Sequence, residues 1–221
     1  MRIQGQSNVV PKITINTVSE DNFHEVDAAL QRIKNTPSGE SLLKSISKHS
    51  RNGKSVIIHI VAFESTQTIP TLTKKQAIRF KDVEDKENVA RNLAVKRGYC
   101  KAKGTSATIK YNQFWEEVGM SNGFSYEDII QDDADANDTT LFHELVHAMR
   151  IIKGTYTDDN SLYGHEDEML RAIGSMQYAD HPVTENKFRE QTGHQLRAFY
   201  PAHINVDNTN MTFRPGIMPP H

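Results

Sequence analysis

The strongest constraint on this chain is the run His143-Glu144-Leu145-Val146-His147, an HExxH pattern inside an apolar stretch. On an α-helix, positions i and i+4 lie on the same face, so the two histidines can offer their imidazoles to one metal ion. Glu144 lies one step around the helix, close enough to reach a water molecule on that metal. Two neutral ligands, an open coordination position and a general base are what a zinc peptidase needs. We therefore predict that His143 and His147 bind Zn2+ and that Glu144 is the base.

The residues around the motif predict a buried helix over residues 139–152. Asp138, Thr139 and Thr140 are candidate N-caps, and Gly154 is the candidate C-cap. The alternative is a core helix whose histidines are only hydrogen-bonded, but such polar groups on a buried face are costly without a metal or partners. The apolar positions at helical spacing are Phe142, Leu145, Val146, Met149 and Ile152.

Composition excludes several classes of protein. With 221 residues the chain can form one large domain, and its net charge of −2 argues against a nucleic-acid partner held by bulk charge. No apolar run reaches the length of a membrane span, so we expect no membrane partner. The single cysteine, Cys100, excludes an internal disulfide, and the N-terminus lacks the apolar stretch of a cleavable signal peptide. We expect a monomer that works in a reducing compartment or is secreted without a hydrophobic signal.

The pattern of the whole chain predicts an α+β fold. We expect a zincin-like domain over residues 19–221, with a small mixed sheet, an edge strand beside the central HExxH helix and a mostly helical C-terminal half. Residues 1–18 are polar, and we expect them to be disordered. Predicted helices lie at residues 20–34, 42–46, 86–96, 115–120 (or a lid there) and 165–174, and predicted strands at residues 55–63 and 105–111.

The two predicted strands have different roles. The β-branched run at residues 55–63 predicts a strand buried on both faces. His59 inside it is interpreted as a satisfied core residue, because no second ligand stands at strand spacing. The strand at residues 105–111 precedes the motif, which suits an edge along which an extended substrate could lie. An ordinary hairpin strand explains it equally well.

The charged segment at residues 64–104 is interpreted as a solvated excursion from the core, with a substrate-docking surface as the alternative. Cys100 lies in this segment, but its neighbours do not resemble the cysteine motif of peptide deformylases. Residues 131–138 are acidic, which favours a helix start through the helix dipole and requires no calcium site.

Two imidazoles leave a zinc ion short of protein ligands, so a third must come from elsewhere. The helix predicted at residues 165–174 begins with four ligand-capable side chains. We choose Glu168, because the small Ala172 one turn further leaves room for the metal helix to approach. Glu166 or Asp167 could instead accept hydrogen bonds from imidazole N–H groups, and a solvated helix start is the plain alternative for any of the four. The four candidates are His165, Glu166, Asp167 and Glu168.

Arg197 and Tyr200 stand three residues apart near the end of the chain. On one helical turn they could donate to the oxyanion that develops on a scissile carbonyl. The common alternative for such an RxxY is a surface arginine and a core tyrosine.

Several blocks in this order resemble the NleD-type zinc metallopeptidase effectors that bacteria inject through type III secretion systems, including relatives in plant pathogens. The HExxH, the downstream glutamate and the RxxY also resemble the clostridial neurotoxin light chains. The blocks are residues 36–43, 109–111, 143–148, 168–174 and 184–186, followed by Arg189, Gly193, Arg197 and Tyr200.

The resemblance implies an endopeptidase with His143, His147 and Glu168 as zinc ligands, Glu144 as base, and Arg197 and Tyr200 as oxyanion stabilisers. It also implies that the N-terminal segment carries a secretion signal and that the target is a protein in the host cell cytoplasm, with a MAP kinase activation loop as the candidate cleavage site. The alternative is a metal-stabilised, non-catalytic module that binds a host protein.

Overall fold

The structure, a computed structural model, describes residues 2–62, 64–112 and 133–197. The helix or lid predicted at residues 115–120 and the predicted oxyanion donor Tyr200 lie outside these residues. The elements in chain order are β1 Ile3–Gln6, β2 Ile13–Thr17, α1 Glu20–Lys34, α2 Pro37–His49, β3 Val56–Ile60, β4 Gln67–Thr71, α3 Lys74–Arg79, α4 Lys86–Ala94, β5 Ser106–Tyr111, α5 Asp133–Lys153, α6 Leu162–Ile173, the 3-10 turn Met176–Tyr178 and α7 Glu185–Thr192.

The strands form a five-stranded mixed sheet in the order β1-β2-β3-β5-β4. The pairs β2–β3 and β3–β5 are parallel, whereas β1 and β4 run antiparallel to their neighbours at the two edges. Together with the helices this confirms the predicted α+β class. Within the described residues, no helix is long and apolar enough to span a membrane.

The helix α5 lies at the centre of the molecule and packs against β4, β5, α1, α2 and α7. An ion pair between Arg32 Nε and Asp138, at 2.6 Å, joins α1 to α5. Phe142 stacks on Phe188 with ring centroids 4.5 Å apart, which docks α7 on α5. The predicted central helix is therefore confirmed, and its buried apolar residues include Leu141, Phe142, Leu145, Val146, Ala148, Met149, Ile151 and Ile152.

The ends of α5 differ in how well the sequence predicts them. Gly154 follows the helix with a φ of +69°, as expected of a C-cap. The N-cap prediction is wrong, because α5 begins at Asp133 and Asp138 lies inside the helix. Its carboxylate accepts hydrogen bonds from the guanidinium of Arg32 and does not cap the N-terminus of α5.

The expectation of a disordered N-terminal segment is contradicted by β1 and β2, which lie within residues 1–18. Ile13 and Ile15 are fully buried on the core face of β2. The short alternation Ile-Thr-Ile-Asn-Thr carries the strand signal, and β3 beside it supplies the pairing that stabilises it. A secretion role for this segment stays a prediction.

The strand predictions need two corrections. The strand β5 does not lie at the sheet edge, because β3 and β4 pair with its two sides. The edge strand beside α5 is β4, whose Pro70 lacks a backbone N–H and so suits an edge. In β3, only Val56 and Ile58 are fully buried, so that strand is not buried on both faces. His59 is partly exposed, with Nε2 3.2 Å from Arg2 Nη2, and is not a core residue.

The segment at residues 64–104 contains β4, α3 and α4. None of the side chains of α3 is buried, and α4 buries only Ala90 and Ala94. The interpretation of this segment as a solvated excursion therefore agrees with α3 and α4. The start of the segment instead forms β4, the strand at the edge of the sheet.

Gly154 gives a test of this packing. An alanine Cβ there would lie 2.1 Å from the carbonyl oxygen of Ala102, in addition to the strain of the positive φ. We expect Gly154→Ala to lower the free energy of unfolding by roughly 2–5 kcal/mol in urea titrations. The matched control is Gly53→Ala, with a φ of +79° and no atom within 4 Å of the added Cβ, which carries only the conformational strain of roughly 1–2 kcal/mol. Equal losses for the two variants would contradict the close approach of Gly154 to Ala102.

Candidate metal centre and cleft

The HExxH residues lie at the bottom of a cleft of about 400 Å³ between α5, β4, α6 and α7. His143, Glu144 and His147 are each 7% exposed, so only a small part of each residue faces the cleft. Their i, i+4 spacing brings the two imidazole rings to a centroid distance of 4.6 Å. The Nε2 atoms of His143 and His147 face each other at 3.0 Å.

A carboxylate lies behind each imidazole. His143 Nδ1 is 2.8 Å from Glu185 Oε2, and His147 Nδ1 is 3.0 Å from Glu168 Oε1. Because a carboxylate accepts the Nδ1 proton, each ring keeps a lone pair on Nε2. Two lone pairs that face each other at 3.0 Å repel unless a cation or proton lies between them. Tetrahedral zinc with Zn–N bonds of about 2.0–2.1 Å places its ligands roughly 3.3 Å apart, so the pair fits a zinc ion.

Both carboxylates are ionised in spite of their burial. Burial opposes ionisation of Glu168, but the charge of Arg150 and the hydrogen bond to His147 lower its pKa to about 2. Burial likewise opposes ionisation of Glu185, but the hydrogen bond to His143 and the charges of Arg189 and Arg197 lower its pKa to about 2. Burial by itself lowers the pKa of His143, yet its hydrogen bond to Glu185 raises it above the ordinary value. The site is thus built for positive charge, which a metal or a proton can supply.

The predicted third ligand, Glu168, touches the ring of His147 from the side opposite Nε2. Its Oε1 also accepts from Arg150 Nε at 2.7 Å. Its Oε2 accepts from the backbone N–H and the hydroxyl of Thr157, each at 2.9 Å. Within the described residues, no three His, Cys, Asp or Glu side chains converge as a metal-binding group. The structure therefore places Glu168 as an acceptor for an imidazole N–H, and its role as a ligand stays a prediction.

The three other candidates on α6 lie elsewhere. Asp167 accepts from Arg171 Nε at 2.8 Å and from the hydroxyl of Tyr178 at 2.7 Å, so its carboxylate is committed to these partners. His165 lines the outer cleft with Nδ1 3.3 Å from Asp158 Oδ2. Glu166 is buried and does not line the cleft.

Arg197, the predicted oxyanion donor, lines the cleft on the side of α7. Its Nη1 lies 3.5 Å from Glu185 Oε2. The side-chain amide of Asn186 holds the backbone of Arg197 at both ends, since Oδ1 accepts from the Arg197 N–H at 2.8 Å and Nδ2 donates to the Arg197 carbonyl at 3.0 Å. The guanidinium therefore enters the cleft from a fixed backbone.

The sequence reasoning did not assign roles to three residues of the site. Glu185 directly follows the N-cap Thr184, and its i+4 neighbour Arg189 donates to Oε1 at 2.7 Å, a helical pair that could have drawn attention to it. The local sequence around Thr68 and Arg150 gives no indication of a role in the site. Thr68 contacts Glu144 and Arg150 contacts Glu168 only because the tertiary fold brings them together.

A family model described as "Peptidase_M91: Effector protein" matches residues 12–200 of the chain. Among solved structures, the chain is similar to the catalytic domain of Clostridium botulinum neurotoxin serotype F, with 14% sequence identity and a TM-score of 0.35. The similarity covers 77% of this chain and 54% of the neurotoxin chain, so the chain spans about half the length of that relative. No curated protein matches the chain.

The carboxylate behind His143 leads to a prediction about metal affinity. Glu185→Gln keeps the shape of the side chain but removes the charge that orients and polarises the imidazole. We expect zinc affinity to fall roughly 10- to 100-fold, measured by competition with a chromogenic chelator. The matched control is Glu190→Gln on the same helix, whose carboxylate is 60% exposed and pairs with Lys187. Equal zinc affinities of the two variants would contradict a role of Glu185 behind the imidazole.

Proposed function

This chain belongs to the Peptidase_M91 family of effector proteins, and on that premise we propose that it is a zinc endopeptidase that cleaves a specific host protein. The family implies a metallopeptidase, which agrees with the enzyme predicted from the sequence and not with a non-catalytic binding module. The observation that carries the proposal is the pair of Nε2 atoms, 3.0 Å apart, beside the carboxylate of Glu144 in one cleft.

The residues of α5 divide the chemistry between them. His143 and His147 hold the cation through Nε2. Zinc, when bound, supplies a Lewis acid and lowers the pKa of a coordinated water toward about 7. The carboxylate of Glu144 takes the proton of the attacking water and then returns it to the nitrogen of the leaving amine. Buried at 7% exposure, this carboxylate is shielded from bulk water while it exchanges the proton.

Arg197 is proposed to stabilise the negative charge that develops on the scissile carbonyl oxygen. The clamp by Asn186 supports this role, because a donor that is already fixed loses little freedom when the charge develops. Tyr200 is proposed as the second donor, as the sequence predicts.

Glu168 is proposed as the third zinc ligand. Its full burial and its lowered pKa of about 2 support a role as a charged ligand. Binding of the cation would require its carboxylate to leave the Nδ1 side of His147, where it lies in the structure. As a ligand it would neutralise charge directly, whereas as an acceptor for His147 it acts only through the imidazole. The two roles differ in the size of their effect on zinc affinity.

The substrate is proposed to be a protein of the host, which the effector family supports in general terms. A MAP kinase activation loop remains the candidate named by the resemblance. We also propose delivery through a type III secretion system into the host cytoplasm, and an extended substrate segment beside the edge strand β4, whose residues line the cleft.

The role of Glu144 is tested with Glu144→Gln. We expect this variant to bind zinc as the wild type does but to lose roughly 100- to 10,000-fold in turnover, because the amide cannot take the proton of the water. The measurement is mass-spectrometric mapping of new protein N-termini in a eukaryotic cell lysate, with and without a chelator. Glu190→Gln is the control for loss of a surface carboxylate. Undiminished, chelator-sensitive cleavage by Glu144→Gln would refute the role of Glu144 as base.

The role of Glu168 is tested against Glu185→Gln as an internal standard. Both substitutions remove one buried negative charge beside one imidazole. If Glu168 is a ligand, Glu168→Gln should weaken zinc binding more than Glu185→Gln does, and X-ray absorption of the zinc-loaded variant should show one oxygen ligand fewer. Equal losses in affinity with an unchanged coordination shell would show that Glu168 only orients His147.

A further inference from the structure

The base carboxylate receives a hydrogen bond from the neighbouring edge strand. Thr68 in β4 places its Oγ1 2.5 Å from Glu144 Oε2. The same hydroxyl lies 3.1 Å from the backbone carbonyl oxygen of Glu144. Within the described ranges, no other donor contacts the Glu144 carboxylate.

The single hydroxyl proton of Thr68 can serve only one of these two acceptors at a time. The carboxylate oxygen is the stronger acceptor, because it carries charge and lies at the shorter distance. The carbonyl of Glu144 also belongs to the helical ladder of α5 and does not need this donor. The hydroxyl therefore donates to Oε2.

The position of this donor is rigid. The register of the sheet pairs Thr68 with Ile109 of β5, and Ile109 is fully buried. A β-branched side chain has few rotamers, so the strand backbone largely fixes the direction of the hydroxyl. A donor on a regular strand holds its partner more closely than one on a loop.

We propose that Thr68 is a positioning residue for the general base, an inference that rests on the proposed peptidase function. Its hydroxyl holds Oε2 of Glu144 and leaves Oε1 as the oxygen that takes the proton. Glu144 has several rotatable bonds in a cleft of about 400 Å³, so without this anchor it populates orientations that do not reach the water.

The location of Thr68 adds a consequence for the substrate. Ser65, Thr66, Gln67, Thr68 and Ile69 line the cleft along the edge of the sheet. A substrate segment beside this edge would contact the same strand that orients the base. Specific substrates would therefore stabilise the strand and the base together, whereas small ligands of the metal would not.

The experiment compares three substitutions in the zinc-loaded full chain. Thr68→Val keeps the shape and removes the hydroxyl, and Thr68→Ser keeps the hydroxyl. Thr71→Val is the control on the same strand, since the Thr71 side chain contacts Thr108 and does not line the cleft. Turnover is measured on the peptide bond that the N-terminus mapping identifies.

We expect Thr68→Val to lower kcat roughly 10- to 100-fold with KM and zinc affinity within about twofold of the wild type. Thr68→Ser should recover most of kcat, and Thr71→Val should leave it unchanged. A loss caused by general damage to β4 would appear in Thr71→Val as well, and it would not be recovered by Thr68→Ser.

A second measurement does not depend on turnover. Acetohydroxamic acid chelates zinc and gives up a proton to a neighbouring base, whereas azide binds zinc as an anion with no proton to give. By isothermal titration calorimetry, Thr68→Val should weaken acetohydroxamate binding about tenfold or more, leave azide binding unchanged, and be rescued by Thr68→Ser.

The outcomes separate this inference from the proposed function. If the wild type binds zinc and acetohydroxamate and Thr68→Val binds both equally well with unchanged kcat, Thr68 has no positioning role. If the wild type binds neither, the peptidase proposal itself fails and this inference fails with it.

Discussion

Two ionised carboxylates, buried behind two imidazoles, are the interaction on which the rest of the site depends. Glu168 and Glu185 are each 1% exposed, and burial of such charges is costly unless every oxygen is satisfied. Arg150 and Thr157 satisfy Glu168, and Arg189 with Arg197 satisfies Glu185. These carboxylates fix the tautomer and direction of the histidine rings, which α5 alone cannot do. The proposed metal centre therefore requires α6 and α7 in place.

The sequence predicts helices and the spacing of residues within them, but it does not predict contacts between residues that are distant in sequence. The HExxH spacing fixes two Nε2 atoms on one helical face, and the structure brings them to 3.0 Å. The helices predicted at residues 20–34, 86–96 and 165–174 lie close to α1, α4 and α6, whereas α2 is longer than the helix predicted at residues 42–46 and begins at Pro37. Glu185 contacts a histidine 42 residues away, and no local pattern encodes that distance. The family blocks included Glu185 but said nothing of what it touches.

The errors about the sheet share a physical cause. The strand β4 reads Gln-Thr-Ile-Pro-Thr, which is polar and contains a proline, so it carries little strand propensity. Its pairing with β5 stabilises it, and that neighbour is distant in sequence. The same reason explains β1, the other edge strand, at the polar N-terminus. An edge strand pairs with only one neighbour and needs only one apolar face, so its sequence gives a weak signal. In this structure the edge strand β4 forms one wall of the cleft.

The distribution of supporting residues has a consequence for when the site can function. The α5 helix supplies the imidazoles and the proposed base, but the groups that contact them come from β4, α6 and α7. Thr68 lies 76 residues before Glu144, and Glu185 lies 42 residues after His143. Without these contacts, the histidines would lack defined tautomers and the proposed base would lack a defined direction. In the proposed peptidase, organised metal binding and base orientation would therefore depend on the complete fold.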